Sequence, residues 1–394
     1  MTTSIQYRSR GQAVWLDSIS SRMIRSGRLG GLIGSGTVYG VTSNPTIFGQ
    51  AIQKNEGDYN GSLIRLADEG KSAFEIYDEL TRVDIAEGAD LFRPVFQRNG
   101  LDGWISLEVL PALAHDVDAT VKEAQRLVSL LGRPNVFIKV PSTDAGLMAI
   151  RKLIGQGISI NVTLMFNRRH YREVAEAYIC GLEDFRKTGG DLSKVQSVAS
   201  FFVSRVDTLV DKLLDDKAAT ASPATRSALA SLKGKAGLAN CKVVYQDFLS
   251  AFGTRRFQDL AAQGARFQRP LWASTGTKNP EYSDLLYVEN LIAPDSVNTM
   301  PEKTLDALLD HGKCQGDTIF EGVDDAIRTL ATLANEGLDV EALGEKLQVD
   351  GVGLFAKAYD ELLQTIEDRR NEAIQNYSKT KKISIGPGGQ ILDN

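Results

Sequence analysis

Lys139 stands in VFIKV, flanked on both sides by apolar residues. An ammonium in such a strand is costly without a partner or a role. The residue type allows two readings. In one, Lys139 is a structural cation, paired with a carboxylate or snorkelling to the strand end. In the other it is a desolvated amine. A free lysine holds its proton up to a pKa of about 10.4, and burial and neighbouring cations favour its release. The released amine adds to a ketone carbonyl. Glu108, in WISLEVLP, poses the same problem with the opposite sign. Its carboxylate needs a partner, and Lys139 is the natural one if their strands are neighbours.

The other candidates have ordinary explanations beside functional ones. Asp17 ends AVWLD and could cap a helix near Ile19 to Arg25. Thr42, Ser43 and Asn44 precede Pro45 and read as a turn. Asn161 and Thr163 fall in INVT, where a buried asparagine requires hydrogen-bond partners. Arg205 follows SFFVS in the first turn of an expected helix, and Lys278 in STGTKNP reads as a solvated loop lysine. The stretch GGLIGSGTVYG lacks the third glycine of the dinucleotide fingerprint. It also precedes a strand instead of following one, so it is not a nucleotide loop.

Eight short apolar runs must position these residues: 13–17, 37–43, 104–110, 135–141, 158–166, 196–203, 269–275 and a weaker one at 295–301. Near-continuous apolar character with β-branched and aromatic enrichment marks buried parallel strands. Helical period separates them. Asp144 to Ile154 is one helix, with Asp144 as cap and Gly155 at its end; Val206 to Asp216 is another. Ser72 to Gln97 is two helices, or one kinked at Pro94. The connection from about 204 to 268 should hold two or three helices. A final helix from Val340 to Asn376 leads into a polar, Gly-rich tail. The pattern predicts an α/β fold, a (β/α)₈ TIM barrel filling residues 1–377 as a single domain, with 378–394 as the tail. A doubly wound open sheet gives a similar local pattern and is the alternative. In a barrel, reactive groups sit at the C-terminal ends of strands, where these residues stand.

Composition narrows the function further. The 45 basic and 50 acidic side chains leave a net charge of −5, which offers no broad basic surface for nucleic acid or an anionic membrane. No apolar run approaches the ~20 residues of a membrane span. Cys180, Cys241 and Cys314 are sparse and far apart, as are His115, His170 and His311. Neither set has the spacing of a disulfide framework or a zinc site, and the cysteine usage fits a reducing compartment. The expectation is a cytoplasmic protein that needs no metal.

Taken together, GVTSNPTIF, NVFIKVPST, INVTLMF and SFFVSRVD, in that order and each at a strand end, resemble the transaldolase family over nearly the whole chain. The chain is longer than the common bacterial form and is similar to the longer branch. The resemblance implies a cofactor-free barrel enzyme that moves a dihydroxyacetone unit from a ketose phosphate to an aldose phosphate. It places the Schiff-base lysine at Lys139, the acid–base aspartate at Asp17, and the carboxylate–threonine pair handling the catalytic water at Glu108 and Thr163. Asn44 and Asn161 fall on the asparagines that hold the dihydroxyacetone hydroxyls. Ser200 and Phe202 fall on donor-site positions, and Arg205 on a phosphate binder. The shorter branch carries a second phosphate arginine after the seventh strand. Here the loop reads WASTGTKNP, and Lys278 and Ser274 are the nearest candidates.

Three other functions fit some of these residues. A Schiff-base aldolase would release dihydroxyacetone instead of transferring it. A sugar-phosphate isomerase would use Glu108 as its base and would not need Lys139 as nucleophile. A non-catalytic sugar-phosphate sensor would need the phosphate residues but tolerate loss of Lys139 and Asp17. Small sugar phosphates are the partners in every case, and oligomeric state is left open.

Overall fold

Each apolar run becomes a strand: β1 (Gln12–Leu16), β2 (Gly40–Val41), β3 (Trp104–Glu108), β4 (Val136–Pro141), β5 (Ile160–Met165), β6 (Ser197–Phe202), β7 (Arg269–Ala273) and β8 (Ser296–Met300). The structure is a computed structural model that describes residues 2–53 and 59–383, with side chains described through residue 375. Every strand pairs in parallel with the next. β8 returns to β1, from Gln12 opposite Ser296 to Leu16 opposite Met300. That last pairing closes the barrel and decides against the open sheet.

The barrel interior is filled by aromatic rings. Trp104 stacks on Phe137 at 4.1 Å between centroids, and Trp15 lies 6.2 Å from Phe137, its ring tilted 24° to it. Gly40 makes room for them. A Cβ at residue 40 would sit 2.5 Å from the Trp15 ring and 2.8 Å from the Trp104 carbonyl oxygen. At the N-terminal end of the barrel, buried Asp102 pairs with both Arg8 (2.8 Å) and Arg269 (3.2 Å).

The helices differ from expectation in their boundaries, for local reasons. Thr143, not Asp144, caps the helix Asp144–Ile154. Its hydroxyl accepts from the Gly146 N–H at 3.0 Å, and Asp144 moves into the first turn, where its charge favours the helix dipole. Ser20, not Asp17, caps the helix Ser21–Arg25, accepting from the Met23 N–H. Residues 73–99 form one continuous helix, with Pro94 inside it. The connection between β6 and β7 holds four helices instead of two or three: Ser204–Ala218, Pro223–Ala230, Ala236–Phe252 and Arg255–Ala261. Ser222 caps the second, with Pro223 in its first turn. Thr254 caps the fourth. An additional helix, Thr3–Ser9, precedes β1.

The last helix runs from Val340 to Ile383, past the expected domain boundary at 377; residues 384–394 of the expected tail lie outside the described residues. This helix crosses the C-terminal end of the barrel. It packs on the end of β5 and on the helices Pro45–Gln53, Tyr59–Asp68 and Ala73–Asn99. Among the described residues, no helix is long and apolar enough to cross a membrane.

Gly40 gives the fold its test. Gly40→Ala should cost about 1–3 kcal/mol by forcing the Trp15 ring or the β3 backbone to move. Gly31→Ala, at a helical position with nothing within 4 Å of its Cβ, should be neutral or stabilising. Urea unfolding of the two variants would check this, and equal midpoints would contradict the packing described.

Candidate active site

The C-terminal ends of the strands surround a cavity of about 310 Å³, within the range of small-molecule sites. Its wall includes Asp17, Asn44, Lys139, Thr163, Ser200, Phe202, Arg205, Ser274 and Lys278. Glu108 and Asn161 are not on the wall but touch residues that are. Strand register aligns three of these side chains: Glu108 on β3 lies opposite Lys139 on β4, which lies opposite Asn161 on β5. In a parallel sheet such partners share a face, so all three point into the barrel.

Lys139 is buried and its Nζ has three neighbours. It donates to the Ser43 carbonyl oxygen at 3.1 Å. Glu108 Oε2 lies 3.3 Å away, close enough for an ion pair, but off the line of a directed hydrogen bond. The Phe355 ring centroid is 5.6 Å from Nζ. Burial raises the Glu108 carboxyl above its usual value; Lys139 opposes this, and the charge of Asp17 adds to it. Thr163 Oγ1 is also buried and has no hydrogen-bond partner among the described residues. It therefore retains its capacity to bind a reacting group.

Asp17 keeps part of its surface open to the cavity. Enough protein surrounds it for desolvation to raise its carboxyl above the ordinary range, against the pull of Lys139, a hydrogen bond from Thr42 and the charge of Lys278. Thr42 Oγ1 donates to Asp17 Oδ1 at 2.6 Å and lies 2.7 Å from Thr299 Oγ1. Since Thr42 spends its proton on Asp17, Thr299 must donate to Thr42. A second chain holds Asn161. Ser200 Oγ donates to Asn161 Oδ1 at 2.7 Å, and Asn161 Nδ2 donates to Ser106 Oγ at 3.0 Å. Asn44 Oδ1 accepts from the Ile47 N–H at 3.1 Å; its Nδ2 has no protein partner among the described residues.

On the opposite side stand the cations. Arg205, in the first turn of the helix Ser204–Ala218, lies between the Phe202 ring (5.3 Å) and the Phe355 ring (5.8 Å). Burial lowers its pKa from the usual arginine value. Neither Arg205 nor Lys278 pairs with a carboxylate among the described residues. Lys278 is exposed at the rim. Ser274 has a left-handed backbone, φ 56°. Its hydroxyl lies 2.8 Å from Ser204 Oγ, and its carbonyl accepts from the Ser204 N–H at 3.1 Å. The β7 loop is thereby tied to the turn that carries Arg205. Unpaired cations beside a helix N-terminus can bind an anion. Among the described residues no group of His, Cys, Asp and Glu is arranged to hold a metal ion.

Every residue expected from the sequence is thus on this cavity or in contact with it. Three contributors were not expected. Thr299 and the hydroxyl of Thr42 orient Asp17, although Thr42 read only as a turn residue. Phe355 belongs to the last helix, far in sequence from every strand end, and carries no local signal beyond helical apolar spacing.

The model of the transaldolase/fructose-6-phosphate aldolase family matches residues 14–366. The chain is 48% identical over 363 residues to the transaldolase of Thermobifida fusca, covering 92% of this chain and 96% of that protein. It is 47% identical over 358 residues to transaldolase 1 of Streptomyces coelicolor (91% and 92%). It is 44% identical over 367 residues to the transaldolase of Mycobacterium tuberculosis (93% and 96%).

The raised Asp17 carboxyl makes stability depend on pH. The folded chain holds a proton that the unfolded chain releases. The stability this contributes is complete below the ordinary carboxylate value of about 4 and is lost as pH rises through the folded value. Asp17→Asn is neutral throughout, so its stability relative to the parent should increase between pH 4 and pH 8. Urea midpoints at the two pH values measure it; a constant difference would show that Asp17 is not held against its charge.

Proposed function

The chain belongs to the transaldolase/fructose-6-phosphate aldolase family, and from that premise we propose that it is a transaldolase, moving a dihydroxyacetone unit between sugar phosphates through a Schiff base on Lys139. The observation that carries this reading is the buried Lys139 amine at the cavity wall, with a carboxylate 3.3 Å behind it and, across from it, two cations with no carboxylate partner among the described residues.

The donor ketose phosphate binds with C2 at Lys139 and its phosphate at Arg205, with Lys278 and Ser274 at the same end. Nζ adds to C2. The carbinolamine loses water to give the iminium, and Glu108 and Thr163 handle that water and its proton. The iminium withdraws electrons, so the C3–C4 bond breaks once Asp17 takes the C4 hydroxyl proton. Burial raises the Asp17 carboxyl above the ordinary range, which makes the ionised form a stronger acceptor for that proton. The aldose leaves, and Asn44, Asn161 and Ser200 hold the hydroxyls of the enamine that remains. An acceptor such as glyceraldehyde 3-phosphate or erythrose 4-phosphate then enters, and the steps reverse. Phosphate contacts far from the reacting bond supply binding energy for orientation.

The isomerase reading has less support. Glu108 sits behind Lys139 and off the cavity wall, whereas an isomerase base must reach a substrate carbon. We place the reaction in the non-oxidative pentose phosphate pathway and in the cytoplasm, where three free cysteines fit.

Borohydride reduction of the protein with fructose 6-phosphate should trap a dihydroxyacetone adduct on Lys139 and on no other lysine. Lys139→Arg should abolish trapping, because a guanidinium stays protonated. An adduct elsewhere, or none, would sink the mechanism. Addition of erythrose 4-phosphate should yield sedoheptulose 7-phosphate; release of free dihydroxyacetone at the same rate with and without acceptor would make the chain an aldolase.

The phosphate end has its own test. Arg205 is held between two rings and offers a planar fork, while exposed Lys278 offers a mobile point charge. Arg205→Ala should therefore raise KM for fructose 6-phosphate about ten- to a hundred-fold, as expected for a charge-assisted contact of about 1.5–3 kcal/mol, and more than Lys278→Ala does. Turnover of unphosphorylated fructose should change little in either variant. Equal losses on both sugars would assign these residues to the fold or the carbonyl site.

A further inference from the structure

Phe355 is the aromatic side chain that the last helix places in the cavity, with 5% of its surface exposed. Its ring faces both Lys139 Nζ at 5.6 Å and the Arg205 guanidinium at 5.8 Å. The placement is built in. Gln348 Nε2 donates to the Ser142 carbonyl (3.0 Å) and to Ser142 Oγ (2.9 Å), which fixes the helix over the ends of β4 and β5. Gly344 and Gly351 let it come close: a Cβ at 344 would lie 2.6 Å from Asn167 Cβ, and one at 351 would lie 3.1 Å from Leu164 Cδ2.

The consequence rests on the Schiff-base reading above. After C3–C4 cleavage the donor aldose departs, and the enamine between Nζ, C2 and C3 waits for an acceptor. Water competes with that acceptor. A proton from water adds at C3, the remaining hydroxide adds at C2 of the iminium so formed, and the C2–N bond breaks as the hydroxyl proton moves to Nζ. One water is consumed, and free dihydroxyacetone and the Lys139 amine are the products. The cavity must exclude solvent from C3 while the space of the departed aldose is open.

We propose that Phe355 is a specificity-determining residue that shields the enamine from water, so that the three-carbon unit is transferred and not released. A phenyl ring has no proton to donate and displaces water from the side of Nζ that it covers. Its attraction to the Arg205 guanidinium, 5.8 Å from the ring centroid, holds it there while the nitrogen is a neutral enamine.

The test is a graded series in the full-length protein: Phe355→Leu, Phe355→Val and Phe355→Ala. Release of free dihydroxyacetone is measured with fructose 6-phosphate alone, and formation of sedoheptulose 7-phosphate with erythrose 4-phosphate added. The ratio of release to transfer should rise as the side chain shrinks, reaching about tenfold in Phe355→Ala, a shift of about 1.4 kcal/mol between the two barriers. In D₂O the released dihydroxyacetone should carry deuterium at the former C3. Should Phe355→Ala not fold, Leu and Val still decide the trend. A flat ratio across the folded variants, with the adduct still trapped on Lys139, overturns the proposal and leaves the transaldolase reading standing. Failure to trap Lys139 in the parent protein overturns the reading beneath it.

Discussion

A lysine ammonium and a glutamate carboxylate 3.3 Å apart inside the barrel are the constraint around which the rest of the structure is arranged. A buried ion pair is a poor device for stability, because desolving both charges offsets most of their attraction. Its cost is contained by geometry. Glu108 and Lys139 point inward only while β3 and β4 hold their register, and a slip of one residue would turn either outward. Closure of the barrel fixes that register from both sides, since each strand is paired twice. Below the pair, the stacked rings of Trp104 and Phe137 form an apolar floor that keeps it near the C-terminal end.

Around that pair, short polar chains do the positioning. Thr299 through Thr42 orients Asp17, and Ser200 through Asn161 reaches Ser106. Thr299, Thr42, Ser200 and Asn161 each donate to the next member of their chain, so the groups are held by bonds already made. Leu164 and Ser274, at the ends of β5 and β7, have φ of 62° and 56°, a conformation that costs a non-glycine residue about 1–3 kcal/mol. Both are locked by neighbours: Leu164 by the bulged register with β6 and by Gln348 on its carbonyl, Ser274 by Ser204. Strain at these two strand ends turns the chain sharply beside Thr163 and Arg205.

The strands were legible because they are buried on both faces and so read as apolar runs. Lys139 and Glu108 were legible because they break that pattern; a charge in an apolar strand is conspicuous. Asp17 was ambiguous, since an aspartate before a helix reads equally as a cap. Only the structure shows Ser20 in that role. Ser222–Pro223 marks a helix start that the β6–β7 connection was not credited with. Phe355 could not have been found locally. On an amphipathic helix a phenylalanine looks like any core residue, and its place at the cavity depends on close approach at Gly344 and Gly351. Those glycines read as weak helix positions, and their meaning lies in Asn167 and Leu164, far away in the chain.

The distribution of charge gives the cavity a direction. Asp17, after β1, is on its wall and Glu108, at the end of β3, lies just behind it; Arg205 and Lys278, after β6 and β7, are cations with no carboxylate partner among the described residues. A dianionic phosphate would be repelled from the Asp17 side and drawn to the Arg205 side, where the helix dipole adds to the attraction. With the phosphate there and the ketone at Lys139, the carbons between them must pass Asp17. That is the group the proposed cleavage requires at the C4 hydroxyl. The cations also offset the carboxylates, since Lys278 draws the Asp17 carboxyl downward against its burial. One charge arrangement therefore both selects the binding direction and limits how far burial raises the acid–base group.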